Sequence, residues 1–229
     1  MTVAQLLVHQ SGFPSAPLNP ASVPTREQRL ERFASWRLNW EPGTRFEYHP
    51  TSAHWVLAEL IEATSGVDYR TFVHTRVLDP LGLDRLRLGE PADRQGDILD
   101  LEVCGEPPTV AEFESMLGIP GLTLDQLVGE VTTDALMVFN RPAVRALGVP
   151  SHRTLGLMIA GDGATARFRG YGHTVSPRAF GHAGAGGQIA FADPDTGISF
   201  VYLTNGLDAN ILRESRRTAG LASRAGLLS

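Results

Sequence analysis

Phe180-Gly181-His182-Ala183-Gly184-Ala185-Gly186-Gly187-Gln188-Ile189-Ala190-Phe191-Ala192-Asp193-Pro194-Asp195-Thr196-Gly197-Ile198-Ser199-Phe200-Val201-Tyr202-Leu203-Thr204 is the stretch that decides the fold. Two short apolar runs, Gly187 to Ala192 and Gly197 to Thr204, flank Asp193-Pro194-Asp195-Thr196-Gly197. In that turn each residue has a role: proline presets φ, aspartate bonds its own backbone and glycine takes the left-handed position. This pattern predicts an antiparallel hairpin. Leu155 to Ile159 and Ala179 to Ala183 predict strands beside it, and Asn210 to Leu221 reads as a closing helix.

Upstream the apolar period lengthens. Thr25-Arg26-Glu27-Gln28 is a capping box, followed by Leu30, Phe33 and Trp36 at helical spacing. A second helix starts near Thr51, offers Leu57, Leu60 and Ile61 on one face, and stops at Gly66. A third carries Tyr69, Phe72, Val73 and Val77 and is expected to end at Asp79-Pro80. Thr109-Val110-Ala111-Glu112 is another capping box. Helices followed by a meander and a terminal helix give an α+β fold rather than a doubly wound sheet. We expect one domain over residues 1–229, helical over about 1–150, with the hairpin and closing helix over about 151–229.

Composition narrows the function. The 229 residues are 42% hydrophobic and 20% charged, with 24 Gly and 15 Pro, which is ordinary for a globular chain and excludes disorder, collagen and coiled coil. A net charge of -5 without any basic run argues against nucleic acid or an anionic membrane as partner, since both require clustered positive charge. All 20 basic residues are Arg and none is Lys. Arginine stays protonated and serves neither as an amine nucleophile nor as a base, so Schiff-base, P-loop and Ser-Lys chemistry are absent from these residues. The single cysteine, Cys104, forms no internal disulfide, and the N-terminus shows neither a basic leader nor a long apolar run, so the expected location is cytoplasmic.

Two segments carry candidate chemistry. His182 sits in a glycine-rich strand end, where glycines admit a substrate close to the backbone and leave N–H groups to face a developing oxyanion; a tight turn with a surface histidine is the alternative. Trp40 to Thr51 delivers Tyr48 just before a capped helix, either as a buried ring with its hydroxyl bonded or as a proton shuttle whose pKa a nearby cation would depress. Ser11 follows His9 by two residues, but such neighbours do not make a triad, and we read it as structural. The seven histidines, at 9, 49, 54, 74, 152, 173 and 182, show no zinc spacing, so neither metal nor cofactor is expected. Gly161-Asp162-Gly163-Ala164-Thr165-Ala166 matches a dinucleotide-type glycine pattern but follows no βα unit, and reads as a loop connecting strands. Asp193 and Asp195 are expected to be solvated turn carboxylates.

Leu6-Leu7-Val8-His9-Gln10-Ser11-Gly12-Phe13-Pro14, then Pro42-Gly43-Thr44 with Tyr48, then Asp79-Pro80-Leu81-Gly82-Leu83, then Gly181-His182-Ala183-Gly184 occur in an order that resembles the penicillin-recognising serine hydrolases: class C β-lactamases, DD-peptidases and related esterases. The resemblance runs from residue 1 to about 207. It implies a β-lactamase/transpeptidase-like fold and acyl transfer, in which a serine of an S-x-x-K motif attacks a carbonyl, a lysine and a tyrosine move the proton, and a K-T-G or H-x-G strand lines the site. By the match, Tyr48 and His182 are the catalytic candidates. Ala183, Gly184 and Ala185 line the substrate strand, with the Ala185 N–H as an oxyanion donor. The histidine form leans toward esterases.

Two departures stand out. Without lysine there is no S-x-x-K, and the resemblance starts at the first residues, so we expect an N-terminally shortened member whose sheet is incomplete on that side. Pro50 stands where the family has the asparagine of Y-x-N, which removes a side-chain amide. The expected function is therefore carboxylesterase or β-lactamase-like hydrolysis of a small-molecule ester or amide in the intact form, with this chain inactive alone. The alternative is a degenerate, non-catalytic module for binding or scaffolding. An incomplete sheet would also expose an edge suited to self-association. The substrate loops of such a member are expected between Gly89 and Val131.

Overall fold

The computed structural model describes residues 1–16, 18, 25–117, 152–184 and 187–228. They fall into two compact units, Met1–Leu99 and Asp100–Ser229, and each is described by itself.

The first unit is helical. Helix α1 (Val3–Leu7) and helix α2 (Arg26–Ser35) both open with complete capping boxes, Thr2 with Gln5 and Thr25 with Gln28. Helix α3 (Ser52–Ser65) ends at Gly66, whose φ of 70° places it in the left-handed region that closes a helix cheaply only for glycine. Helix α4 (Tyr69–Val73) is capped by the Asp68 carboxylate, which accepts from the N–H groups of Arg70 and Thr71. It does not stop at Asp79-Pro80. The chain runs on through a wide turn over His74–Leu78 and a tight one over Asp79–Leu81, where Pro80 sits in a first turn whose N–H groups need no intrahelical partner.

The apolar stripe of α2 is corrected by charge. Trp36 packs on Phe13 and Phe33, with ring centroids 5.5 and 4.6 Å apart, but Leu30 is 45% exposed whereas Arg29 is only 3% exposed. The cause lies on α3. The Arg29 guanidinium bonds Glu62, lies 3.7 Å from Glu59, and rests against the rings of Trp55 and Tyr69 at 6.0 and 5.7 Å. Helix α3 likewise buries its small residues Ser52, Ala53 and Ala58 most deeply, which lets backbones approach, while Leu57 and Leu60 pack partly covered around a core of Leu6, Phe13 and Ala53.

The second unit holds the sheet. In chain order it contains strand β1 (Glu102–Cys104), helix α5 (Val110–Leu117) with the Thr109–Glu112 capping box in place, strand β2 (Met158–Ile159) and helix α6 (Gly163–Phe168). Strands β3 (Phe180–Ala183), β4 (Ile189–Asp193), β5 (Ile198–Tyr202) and β6 (Gly206–Asp208) then lead into helix α7 (Ile211–Ala225). Strands β2, β3, β4 and β5 form one antiparallel sheet in that order, with Gly181 opposite Phe191 and Ile189 opposite Tyr202. Among the described residues the sheet is not closed and β5 is an edge, with Val201 62% exposed. Met158, Ala160, Ala166, Tyr171, Ala179, Ile189, Phe191 and Ala222 make the core, so α7 contributes from beneath.

Three details differ from the sequence reading. Strands β1 and β6 pair in parallel, and three-residue strands whose side chains are exposed on β1 carry no readable alternation. The Gly161–Ala166 segment is not a plain loop, because Asp162 accepts from the Thr165 N–H at 3.1 Å and starts α6. Asp195 is the exposed turn carboxylate expected, paired with Arg178, but Asp193 is 2% exposed and accepts from Ser176 N and Oγ at 2.7 and 2.6 Å and from Asp195 N at 3.1 Å. Desolvation pushes the Asp193 carboxyl up, and those bonds more than reverse it, leaving it below the ordinary carboxylate value.

Two measurements check these assignments. Glu62→Ala should cost about 3 kcal/mol in urea unfolding, because it takes the nearer carboxylate from a buried guanidinium, whereas Arg26→Ala, which removes a half-exposed partner of Glu59, should cost under about 1 kcal/mol; equal losses would contradict a buried ion pair. Asp208, bonded by Arg213 at 2.6 and 2.8 Å and by the Asn210 N–H at 2.9 Å, has its carboxyl lowered from 3.8 to about 2, chiefly by the Arg213 side chain. A lowered folded-state pKa gives stability that is present above the unfolded value of 3.8 and is lost as pH falls toward 2. Asp208→Asn should therefore flatten the fall in melting temperature over that window, and an unchanged acid limb would contradict the assignment.

Candidate functional site

In the first unit, Tyr48 lies on the extended segment entering α3 and is half-buried. Its neighbours on both sides are fixed. The Glu47 N–H donates to the His9 carbonyl at 3.1 Å, and the His49 N–H donates to His9 Nδ1 at 3.3 Å. The His9 ring itself meets the Tyr48 ring edge-on at 4.6 Å and stacks with His49 at 6.0 Å. His9 has φ 60°, and no other non-glycine among the described residues has a positive φ.

His49 is fully buried, and its two nitrogens have opposite roles. Nε2 accepts from the Phe13 N–H at 3.1 Å, and Nδ1 faces the Glu47 carbonyl at 2.5 Å, which requires a proton on Nδ1. Burial pushes the His49 pKa down, and the Glu47 carbonyl opposes this only in part, so the ring is neutral near pH 7. Ser52 completes the frame by donating to the Phe13 carbonyl at 2.9 Å. Ser11 has no exposed surface, so no substrate reaches its hydroxyl, in keeping with the structural reading.

In the second unit, His182 and Ala183 lie at the end of β3, opposite Ala190 and Ile189, and Gly184 follows. His182 Nδ1 is 2.6 Å from the Ala183 carbonyl, which requires a proton on Nδ1. The Gly184 N–H donates to the Gln188 carbonyl at 2.7 Å and so belongs to the hairpin rather than to an oxyanion hole. The Ala185 N–H, the expected oxyanion donor, lies outside the described residues, as does the Gly118 to Val131 part of the expected substrate loops.

Gly187 lies against α7. Gly187 has φ 94°, and a Cβ there would fall onto the Glu214 carboxylate, so only glycine fits. Glu214 is buried, accepts from Thr218 Oγ1 at 3.0 Å and pairs with Arg217, while Gln188 Nε2 donates to the Thr204 carbonyl at 2.8 Å.

Tyr48 thus belongs to the first unit and His182 to the second. Sequence reasoning missed three framework residues: His9, weighed as a partner of Ser11 and as a metal ligand, His49, weighed as a metal ligand, and Glu214. The alternation of donors around a buried imidazole leaves no mark on sequence, whereas Glu214, Arg217 and Thr218 at helical spacing of three and four was a readable hint. A cleft of about 310 Å³ in the first unit, lined by Thr64, Ser65, Val67, Phe72, Thr75 and Arg76, holds neither candidate. Among the described residues, no group of three His, Cys, Asp or Glu is arranged to hold a metal ion, and no helix is long and apolar enough to cross a membrane.

Among solved structures, a penicillin-binding protein homologue from Caulobacter crescentus is 22% identical, with 98% of this chain and 71% of that chain covered and a TM-score of 0.61. EstA from Arthrobacter nitroguajacolicus Rue61a is 19% identical, with 100% and 74% covered and a TM-score of 0.61, and a β-lactamase from Mycobacterium bovis is 22% identical, with 99% and 73% covered and a TM-score of 0.55. At such identities the likeness shows the fold alone. No curated protein matches the sequence. The family model described as Beta-lactamase matches residues 1–224, nearly the whole chain, and the protein is therefore a member of the beta-lactamase family with a β-lactamase/transpeptidase-like fold.

Proposed function

We propose that these residues are the Tyr48- and His182-bearing part of a serine acyl-hydrolase of esterase type, cleaving small carboxylic esters or amides. The observation that carries this reading is the mounting of Tyr48, a half-buried phenol clamped on both sides immediately before α3 in a chain of this family. The nucleophilic serine and its lysine come from outside the 229 residues, because these contain no lysine and Arg cannot replace it.

In the proposed reaction the serine oxygen bonds to the acyl carbon, and its proton passes through the Lys and Tyr48 to the departing alcohol or amine as the old acyl bond breaks. Water then attacks the acyl-enzyme, giving its proton back by the same route to the serine oxygen and releasing the carboxylic acid. The family resemblance gives His182 the part of a polar partner to the substrate. Pro50, without a side-chain amide, favours esters over β-lactams, which supports the esterase side of the family.

The purified 229-residue chain should not hydrolyse p-nitrophenyl butyrate and should not be labelled by an alkyl fluorophosphonate. In the enzyme carrying its S-x-x-K segment, the probe should mark that serine, and Tyr48→Phe should lower kcat about 10²-fold. Labelling of a serine within the 229 residues would overturn the assignment, and an unlabelled, inactive protein with S-x-x-K present would favour a non-catalytic binding module.

A further inference from the structure

Tyr48 makes its own contacts, but the residues before and after it are both tied to one partner. Glu47 donates its N–H to the His9 carbonyl and His49 donates its N–H to His9 Nδ1, so the backbone on each side of Tyr48 is fastened to the same residue whose ring lies against the phenol. We infer that His9 is a positioning residue for Tyr48, setting the height and orientation from which the phenol hands on a proton. The inference rests on the reading of Tyr48 as a proton shuttle.

The geometry asks for histidine in particular. The left-handed backbone at His9 is disfavoured for most residues and tolerated best by glycine, asparagine, aspartate and histidine. An Nδ1 that accepts a backbone N–H carries no proton itself, so the ring is held in one tautomer, with its proton on Nε2. The ring plane adds what asparagine lacks, an aromatic face and edge against Tyr48, Phe46 and His49. Strained backbone of this kind persists only where surrounding contacts over-determine it, and here the contacts converge on one tripeptide. His9 is also 5% exposed, so it touches no substrate and acts through Tyr48.

A purely structural role would be closing α1, since the His9 N–H donates to the Leu6 carbonyl. Two readouts on the full chain separate the roles without requiring turnover: hydrogen exchange of individual amides by NMR, and nitration of Tyr48 by tetranitromethane followed on its peptide. In His9→Ala, exchange of the His49 amide should rise about tenfold, as for one lost buried acceptor, and Tyr48 should nitrate several-fold faster, while the Gly66 amide that closes α3 keeps its protection. His9→Asn, which retains the left-handed backbone and an acceptor but no ring, should restore His49 protection and leave Tyr48 nitrating fast.

Tyr48 nitrating at the wild-type rate in His9→Ala would overturn the inference. So would a rise in exchange at Gly66 matching that at His49, which would mean loss of fold rather than of position. Should His9→Ala not fold, His9→Asn decides alone, and wild-type nitration of Tyr48 in it contradicts the inference. Absence of hydrolysis in the complete enzyme would refute the acyl-transfer proposal and leave these exchange and nitration results unaffected.

Discussion

A polar group taken out of water must find its partner inside the protein, and that constraint shapes both units alongside apolar packing. Arg29 pulls α2 onto α3 through Glu62, against the direction the apolar stripe points. His49 spends both nitrogens on backbone and thereby ties Phe13 to the Tyr48 segment. Asp193 gathers the Ser176 turn, and Glu214 sits under the glycine loop after His182. Among the described residues the apolar clusters lie beside these groups, Leu6, Phe13 and Ala53 in the first unit, and the larger core around Tyr171, Ile189 and Phe191 in the second. Each buried polar partner is therefore costly to remove, and several of them frame the candidate chemistry.

The legible parts were those governed by local rules. The capping boxes at Thr25 and Thr109, the glycine stop at Gly66, the turn at Asp193–Gly197 and the closing helix from Asn210 all rest on interactions within four residues, and all are present. What sequence could not show was decided by partners far along the chain. Burial of Arg29 instead of Leu30 depends on Glu62, the parallel pairing of β1 with β6 joins segments about a hundred residues apart, and His9 matters because residues 47 and 49 fold back onto it. The two candidate residues were found by their motifs, His182 in a glycine-rich strand end and Tyr48 before a helix. Their surroundings were not, since an imidazole tautomer is set by whichever N–H reaches it.

The same geometry redistributes roles among the backbone donors near His182. A glycine-rich strand end invites the expectation that every N–H in it is available, yet the Gly184 N–H is used by the hairpin itself. Gly187 then serves shape rather than donation, allowing the chain to pass over the Glu214 carboxylate. Gln188 is tied to the Thr204 carbonyl through its side-chain amide, and Glu214 is held under Gly187 by Thr218 and Arg217.

The absence of lysine is the fact on which the functional account turns, since it separates this chain's tyrosine and histidine from the nucleophile they would serve. The most direct measurement is the intact mass and N-terminal peptide of the protein isolated from its native cells. The account predicts a mass above 24.7 kDa with a peptide bearing S-x-x-K ahead of Met1. A mass of 24.7 kDa, with Met1 at the N-terminus, would contradict it.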